Sequence, residues 1–130
     1  MALSHLLQER QAGHQPVRVA VIGCGKFATM YLTQARTTPG IHIVGIADLD
    51  LVRTRTNLQS AGWPDSQAAA ITIDAAIESG GTFLTEDAIT LIGDERIDVV
   101  VEATGIPHAG IRHCQAAIRS GHHVVMVNVE

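Results

Sequence analysis

The stretch Val17-Arg18-Val19-Ala20-Val21-Ile22-Gly23-Cys24-Gly25-Lys26-Phe27-Ala28 admits few folds. Its first half is an apolar, β-branched run of the kind that forms a fully buried strand. Gly23-x-Gly25 then interrupts it, and Lys26 to Arg36 restarts with its larger side chains at helical spacing. Strand, glycine turn and helix in that order is the setting in which G-x-G-x-x-G/A predicts dinucleotide binding. Each residue type has a physical task there. Gly23 permits the tight turn off the strand. Gly25, without a Cβ, lets a pyrophosphate approach the backbone, and Ala28 lets the helix pack close to the strand. The first N–H groups of a helix have no intrahelical partner and carry the positive end of its dipole, which favours a phosphate.

The rest of the chain supplies the other parts of such a fold. Ile41 to Ala47 reads as a second strand, with Asp48 at its C-terminal end. A dinucleotide fold places an acidic residue there, about 20 residues after the glycines, to accept the adenosine ribose hydroxyls. Asp48 comes slightly later than that and is expected to take this role. Asp50 suits the N-cap of the following helix, Leu51 to Ala61. Residues 62–96 are the least legible. Gly62-Trp63-Pro64-Asp65 breaks the chain, and Ser66 to Ser79 reads either as one helix or as an extended piece before a helix over 74–79. Thr82-Phe83-Leu84 is a short third strand. Thr85 is then an N-cap with Glu86 and Asp87 in the first turn, and Gly93 ends the helix.

Ile97 to Gly105 restores a clear signal, a β-branched run without alternation, as expected of a central parallel strand covered on both faces. Ile106-Pro107 opens a helix to about Ser120, with Ile111, Cys114 or Gln115, and Ile118 as its apolar face. His122 to Val127 forms strand five. Phe27, Met30, Tyr31 and Ala35 give the apolar face of the first helix. The fold class is therefore α/β, a Rossmann-type doubly wound parallel sheet of about five strands with helices on both faces. A 3-2-1-4-5 order puts the switch point between strands one and four, lined by Gly23 to Lys26 and by Thr104 to Pro107. Residues 17–130 form this domain. Residues 1–16 are an N-terminal arm, with a short amphipathic helix over 3–11 that suits packing or a subunit contact, so a homo-oligomer is open.

Composition narrows the function classes. A 130-residue chain, 46% hydrophobic and 17% charged, has the length and apolar content for one globular core. A net charge of −4 argues against nucleic acid or an anionic membrane as the main partner. No apolar run approaches the roughly 20 residues of a membrane span, and the N-terminus has no secretory pattern. Cys24 and Cys114 read as free thiols of a reducing compartment, so the expectation is a cytoplasmic domain. The seven histidines give no metal-ligand spacing. Glu102 reads as a general base or, preferably, as a polar contact at a strand end. A P-loop is excluded by the missing G-x-x-x-x-G-K-[ST]. An S-adenosylmethionine domain is less favoured, because Ile22 stands where an acidic residue is usual. Asp48 leans toward NAD, since a carboxylate repels a 2′-phosphate. Arg53 and Arg55 on the next helix are placed to reach such a phosphate or to form a solvated face.

Four motifs together resemble a known family. They are Val19-Ala20-Val21-Ile22-Gly23-Cys24-Gly25-Lys26-Phe27-Ala28, the Ile46-Ala47-Asp48 strand end, Val99-Val100-Val101-Glu102-Ala103-Thr104-Gly105, and Gly121-His122-His123-Val124-Val125-Met126-Val127-Asn128. The family is the homoserine dehydrogenase-like NAD(P)-dependent oxidoreductases, and within it the SAF-domain branch that includes 1-deoxy-D-xylulose 5-phosphate reductoisomerase-like enzymes. The resemblance covers roughly residues 17–130, their N-terminal domain. It implies a nicotinamide domain followed in a longer protein by catalytic and SAF domains, with the catalytic residues beyond Glu130. It also implies that Gly23, Gly25, Lys26 and Phe27 hold the pyrophosphate, Asp48 the ribose, and Thr104-Gly105 the nicotinamide side. Because reductoisomerase-like members use NADPH, it implies NADP. The expected function is cofactor binding for hydride transfer to or from a small polar metabolite, by a fragment inactive alone. A non-catalytic nucleotide-sensing module is the alternative.

Overall fold

Five short apolar runs pair side by side as one parallel sheet: β1 (Val17–Ile22), β2 (Ile41–Ala47), β3 (Phe83–Thr85), β4 (Val99–Glu102) and β5 (His123–Met126). In this computed structural model the described residues are 15–127 together with 5, 6, 8 and 9; the side chains of Lys26 and Phe27 fall outside them. The helix expected over residues 3–11 lies largely outside the described residues. The helices are α1 (Lys26–Ala35), α2 (Leu51–Ser60), α3 (Ile73–Ser79), α4 (Ala88–Ile92) and α5 (Pro107–Arg119), with a 3₁₀ turn at Asp65–Ala68. The sheet order is β3-β2-β1-β4-β5, all parallel, as the crossover pattern predicts.

The central strands lack polar alternation because both of their faces are covered. Val19, Val21, Ile43 and Ile46 pack with Leu32 of α1 and Leu58 of α2 on one face. Ala20, Ile22, Val44 and Val100 pack with Ile92 of α4 and Ala117 of α5 on the other. Residues 66–79 come nearer the second of the two expected forms: a separate helix follows, its Thr72 side chain accepting from Ala75 N–H, but the piece before it is a 3₁₀ turn with an isolated bridge at Ala70 and not an extended segment. Asp50 caps α2 as expected, accepting from Arg53 N–H.

Four expectations are corrected. Strand three runs one residue later than predicted, so Thr85 ends β3, and the cap of α4 is Asp87, which accepts from Thr90 N–H. Thr85 Oγ1 instead accepts the Asp87 N–H, closing the turn between strand and helix. Ile111 and Ile118 are 56% and 65% exposed, and the inward residues of α5 are Gly110 and Ala117. Small side chains face the sheet because the helix lies close upon it: a Cβ on Gly110 would stand 3.3 Å from Met126 Cε. Met30 is likewise 66% exposed, whereas Ala35 is buried and Tyr31 packs against the core as expected, and Ala28 and Leu32 complete the buried face of α1.

Candidate functional site

A crevice of about 760 Å³ opens over the C-terminal ends of β1, β2 and β4, where the strand order reverses. It is lined by the glycine turn, the loop after β2, the start of α4, and the Ala103–Ile106 loop with α5. A smaller cleft of about 410 Å³ around Arg18, His42 and Glu78 lies at the opposite ends of the strands, away from the loops that the crossovers gather together. Ligands of open α/β sheets bind beyond the carboxyl ends of the strands, so the larger crevice is the candidate site.

The two glycines do different work. Gly23 has φ +92°, and a Cβ there would lie 2.9 Å from the Ala103 backbone. It therefore allows the turn after β1 to lie against the loop after β4. Its N–H donates to Ala47 O at 2.7 Å, and Ala103 N–H donates to Ile22 O at 2.8 Å, extending the ladder to the crevice floor. Gly25 has an ordinary φ of −89°, and a Cβ on it would meet nothing within 4 Å. Neither strain nor packing inside the chain calls for glycine at 25; what it leaves is open space at the start of α1. That helix begins without a capping side chain and without an acidic residue in its first turn. The arrangement fits an anion arriving from outside. Lys26 and Phe27 form the first turn of α1.

Side chains of the second strand and helix fix the turn. Asp48 Oδ2 accepts Cys24 N–H at 2.7 Å, and Asn57 Nδ2 donates to Cys24 O at 2.7 Å. Asp48 Oδ1 accepts Asp50 N–H at 2.9 Å, while Arg53 Nη2 donates to both carboxylate oxygens at 3.0 and 3.1 Å. Arg53 and Asn57, four residues apart, share one face of α2. Burial opposes the charge on Asp48, yet the Asp50 and Cys24 N–H groups and the Arg53 guanidinium hold its carboxyl below the usual range. Burial, with the Asp48 charge adding to it, pushes the Cys24 thiol up to about 11, which leaves it protonated and a space-filler. Arg55 turns elsewhere, toward Ala68 O.

At the other side of the switch point Thr104 lines the crevice, and Gly105, with φ +72°, joins it to Ile106. Glu102 is buried beneath them. Its Oε1 accepts Thr104 N–H at 2.9 Å and Thr104 Oγ1 at 2.6 Å, and its Oε2 pairs with His113 Nδ1. The structure thus gathers Gly23, Gly25, Asp48 and Thr104 around one crevice. Sequence reasoning did not find Asn57, the Glu102–His113 pair, or Leu49 and Ile89 on the crevice wall. The Arg53/Asn57 spacing was the one available signal. Among the described residues no three His, Cys, Asp or Glu side chains group to hold a metal. Among them also, no helix is long and apolar enough to cross a membrane.

A sequence profile of the GFO/IDH/MocA oxidoreductase family, NAD-binding Rossmann fold, matches residues 17–126. The chain belongs to this family. Among curated protein sequences none matches it. Solved structures share the fold. Biliverdin reductase from Synechocystis sp. PCC 6803, in complex with biliverdin and NADP⁺, is 23% identical with a TM-score of 0.63, over 85% of this chain and 29% of that one. Myo-inositol dehydrogenase from Lactobacillus casei, in complex with NAD(H) and myo-inositol, is 17% identical with a TM-score of 0.61, over 85% and 28%. Homoserine dehydrogenase from Thiobacillus denitrificans is 23% identical with a TM-score of 0.59, over 87% and 23%. The chain therefore spans less than a third of the length of each of these proteins. It is an NAD(P)-binding Rossmann domain of an oxidoreductase family.

Proposed function

We propose that the crevice binds one nicotinamide dinucleotide for hydride transfer to or from a small polar metabolite, with the catalytic residues supplied by further sequence in a longer protein. The observation that carries this reading is the open space at Gly25, facing an uncapped helix N-terminus within the crevice. The pyrophosphate lies there, held by the N–H groups of the first turn, where Lys26 and Phe27 stand. The adenosine ribose lies by Asp48, and Leu49 and Ile89 offer apolar surface for the adenine. The nicotinamide extends toward Thr104 and Gly105. When bound, the cofactor supplies the hydride chemistry, and this chain's residues bind and orient it. Homoserine dehydrogenase-like and SAF-domain architecture is the more detailed form of the same proposal, resting on the sequence motifs.

The state of Asp48 bears on the choice between NAD and NADP. Two carboxylate oxygens offer about four acceptor positions. Those positions are met by two backbone N–H groups and by Arg53 on both oxygens. The Arg53 side chain is 55% exposed, so its remaining donors are available to a 2′-phosphate. We therefore read the site as preferring NADP, with NAD requiring Arg53 to leave Asp48. Calorimetric titration with NADP, NAD and S-adenosylmethionine tests the reading. Trp63 is a poor reporter, because its indole is buried against Leu32 O and does not line the crevice. Binding of NADP ahead of NAD, with no heat from S-adenosylmethionine, is expected. Preference for S-adenosylmethionine, or no binding of any of the three, overturns it.

A further inference from the structure

Glu102 is 2% exposed at the end of β4, between apolar strand partners, Ile22 on β1 and Met126 on β5. Burying a carboxylate there is costly unless every lone pair is met, and an apolar side chain of similar volume would serve packing as well. The fold nevertheless makes room for it. Gly110 on α5 is the residue that faces it, and a Cβ there would come within 3.7 Å of Glu102 Cγ and Oε1. Among the described residues its side chain is hydrogen-bonded from the crevice wall and not from the sheet, by Thr104 N–H and Thr104 Oγ1 and with His113 Nδ1. Thr104 Oγ1 in turn accepts Ile106 N–H at 3.2 Å, which carries the hold across Gly105 to the start of α5. His113 lines the crevice, its side chain mostly buried, and its Nε2 makes no hydrogen bond among the described residues. One carboxylate therefore sets both the loop from Thr104 to Ile106 and the orientation of the imidazole.

We propose that Glu102 is a positioning residue for the nicotinamide half of the bound cofactor, acting through Thr104 and His113 and leaving the adenosine half to Asp48 and the glycine turn. This rests on the dinucleotide reading above. The division of labour follows from the topology. Asp48, Arg53 and Asn57 are tied to the turn after β1, whereas the Glu102 side-chain hydrogen bonds, among the described residues, go to the loop after β4 and to α5. A loss at Glu102 should consequently be felt by one end of the ligand.

The test compares two probes on the 130-residue chain by calorimetry: NADPH, and 2′-phospho-ADP-ribose, which lacks the nicotinamide. Glu102→Ala is expected to weaken NADPH about tenfold or more while changing 2′-phospho-ADP-ribose by less than about twofold. Glu102→Gln keeps a carbonyl acceptor for Thr104 and should fall between Ala and the native protein. Should Glu102→Ala fail to fold, Glu102→Gln carries the test, with the same split in smaller measure. Equal losses for both probes would mean a structural role only, and unchanged NADPH binding would mean no role; either overturns the proposal. Native protein that binds 2′-phospho-ADP-ribose as tightly as NADPH overturns it too, with the dinucleotide site intact. Should neither probe bind, NADH and ADP-ribose take their places, and binding of none of the four overturns the dinucleotide reading, and this proposal with it.

Discussion

The Asp48 carboxylate accepts the Cys24 N–H at 2.7 Å, so the end of β2 holds the glycine turn by a side chain. The same carboxylate caps its own loop through Asp50 N–H and carries Arg53. Asp48 is thus a structural fastener as well as a candidate ribose contact, and the two roles separate experimentally.

Asp48→Asn should lower unfolding stability by about 1.5–3 kcal/mol at pH 7, the usual worth of hydrogen bonds to a charged group. Its folded carboxyl lies below the ordinary range. Such a group adds stability that is fully present above its unfolded value and lost as pH falls through its folded value. The gap between native and Asp48→Asn protein should therefore be constant from neutrality down to about pH 5 and close below about pH 4. Asp94, held low by Arg96, titrates in both proteins and cancels in the difference. Denaturant melts across pH measure this; a gap that widens in acid would contradict it.

Arg53→Ala should separate the cofactors. NADP loses the guanidinium that meets its 2′-phosphate, at a cost of about tenfold in affinity for a charge-assisted contact on a half-exposed side chain. NAD should bind as well as before or better, because Asp48 regains acceptors for the ribose hydroxyls. Parallel titrations of the two dinucleotides read the inversion. An equal loss for both would place Arg53 outside the ribose site.

Much of this was legible in the sequence because the central strands must be apolar on both faces, and the crossovers fix where their loops meet. Gly23, Asp50, Gly93 and the β4 run each carry a local chemical reason for their place. The two misread helix faces have one physical origin. Helices that lie close upon a sheet turn small residues inward, so Gly110, Ala117 and Ala28 marked the buried faces while Ile111, Ile118 and Met30 drew the eye. The side-chain network was less legible for another reason. Cys24, Asp48 and Asn57 meet only once β1, β2 and α2 are assembled, and a Glu102–His113 pair has no helical or strand spacing to announce it. Arg53 was visible as a candidate for a phosphate, but its attachment to Asp48 was not.

The two glycines of the turn make the sharpest contrast. Gly23→Ala forces a side chain into φ +92° and against the Ala103 backbone. Strain of about 1–3 kcal/mol for the conformation, with overpacking on top, predicts a markedly destabilised protein, visible as a lowered Tm without ligand. Gly25→Ala, at an ordinary φ and facing open space, should leave the Tm within a degree or two of native. Its methyl instead occupies the place where the pyrophosphate meets the backbone, and dinucleotide affinity should fall by about tenfold or more. Melting and titration of both variants check the pair together. Gly25→Ala protein that binds NADP normally would remove the phosphate from the start of α1, and with it the observation on which the cofactor reading stands.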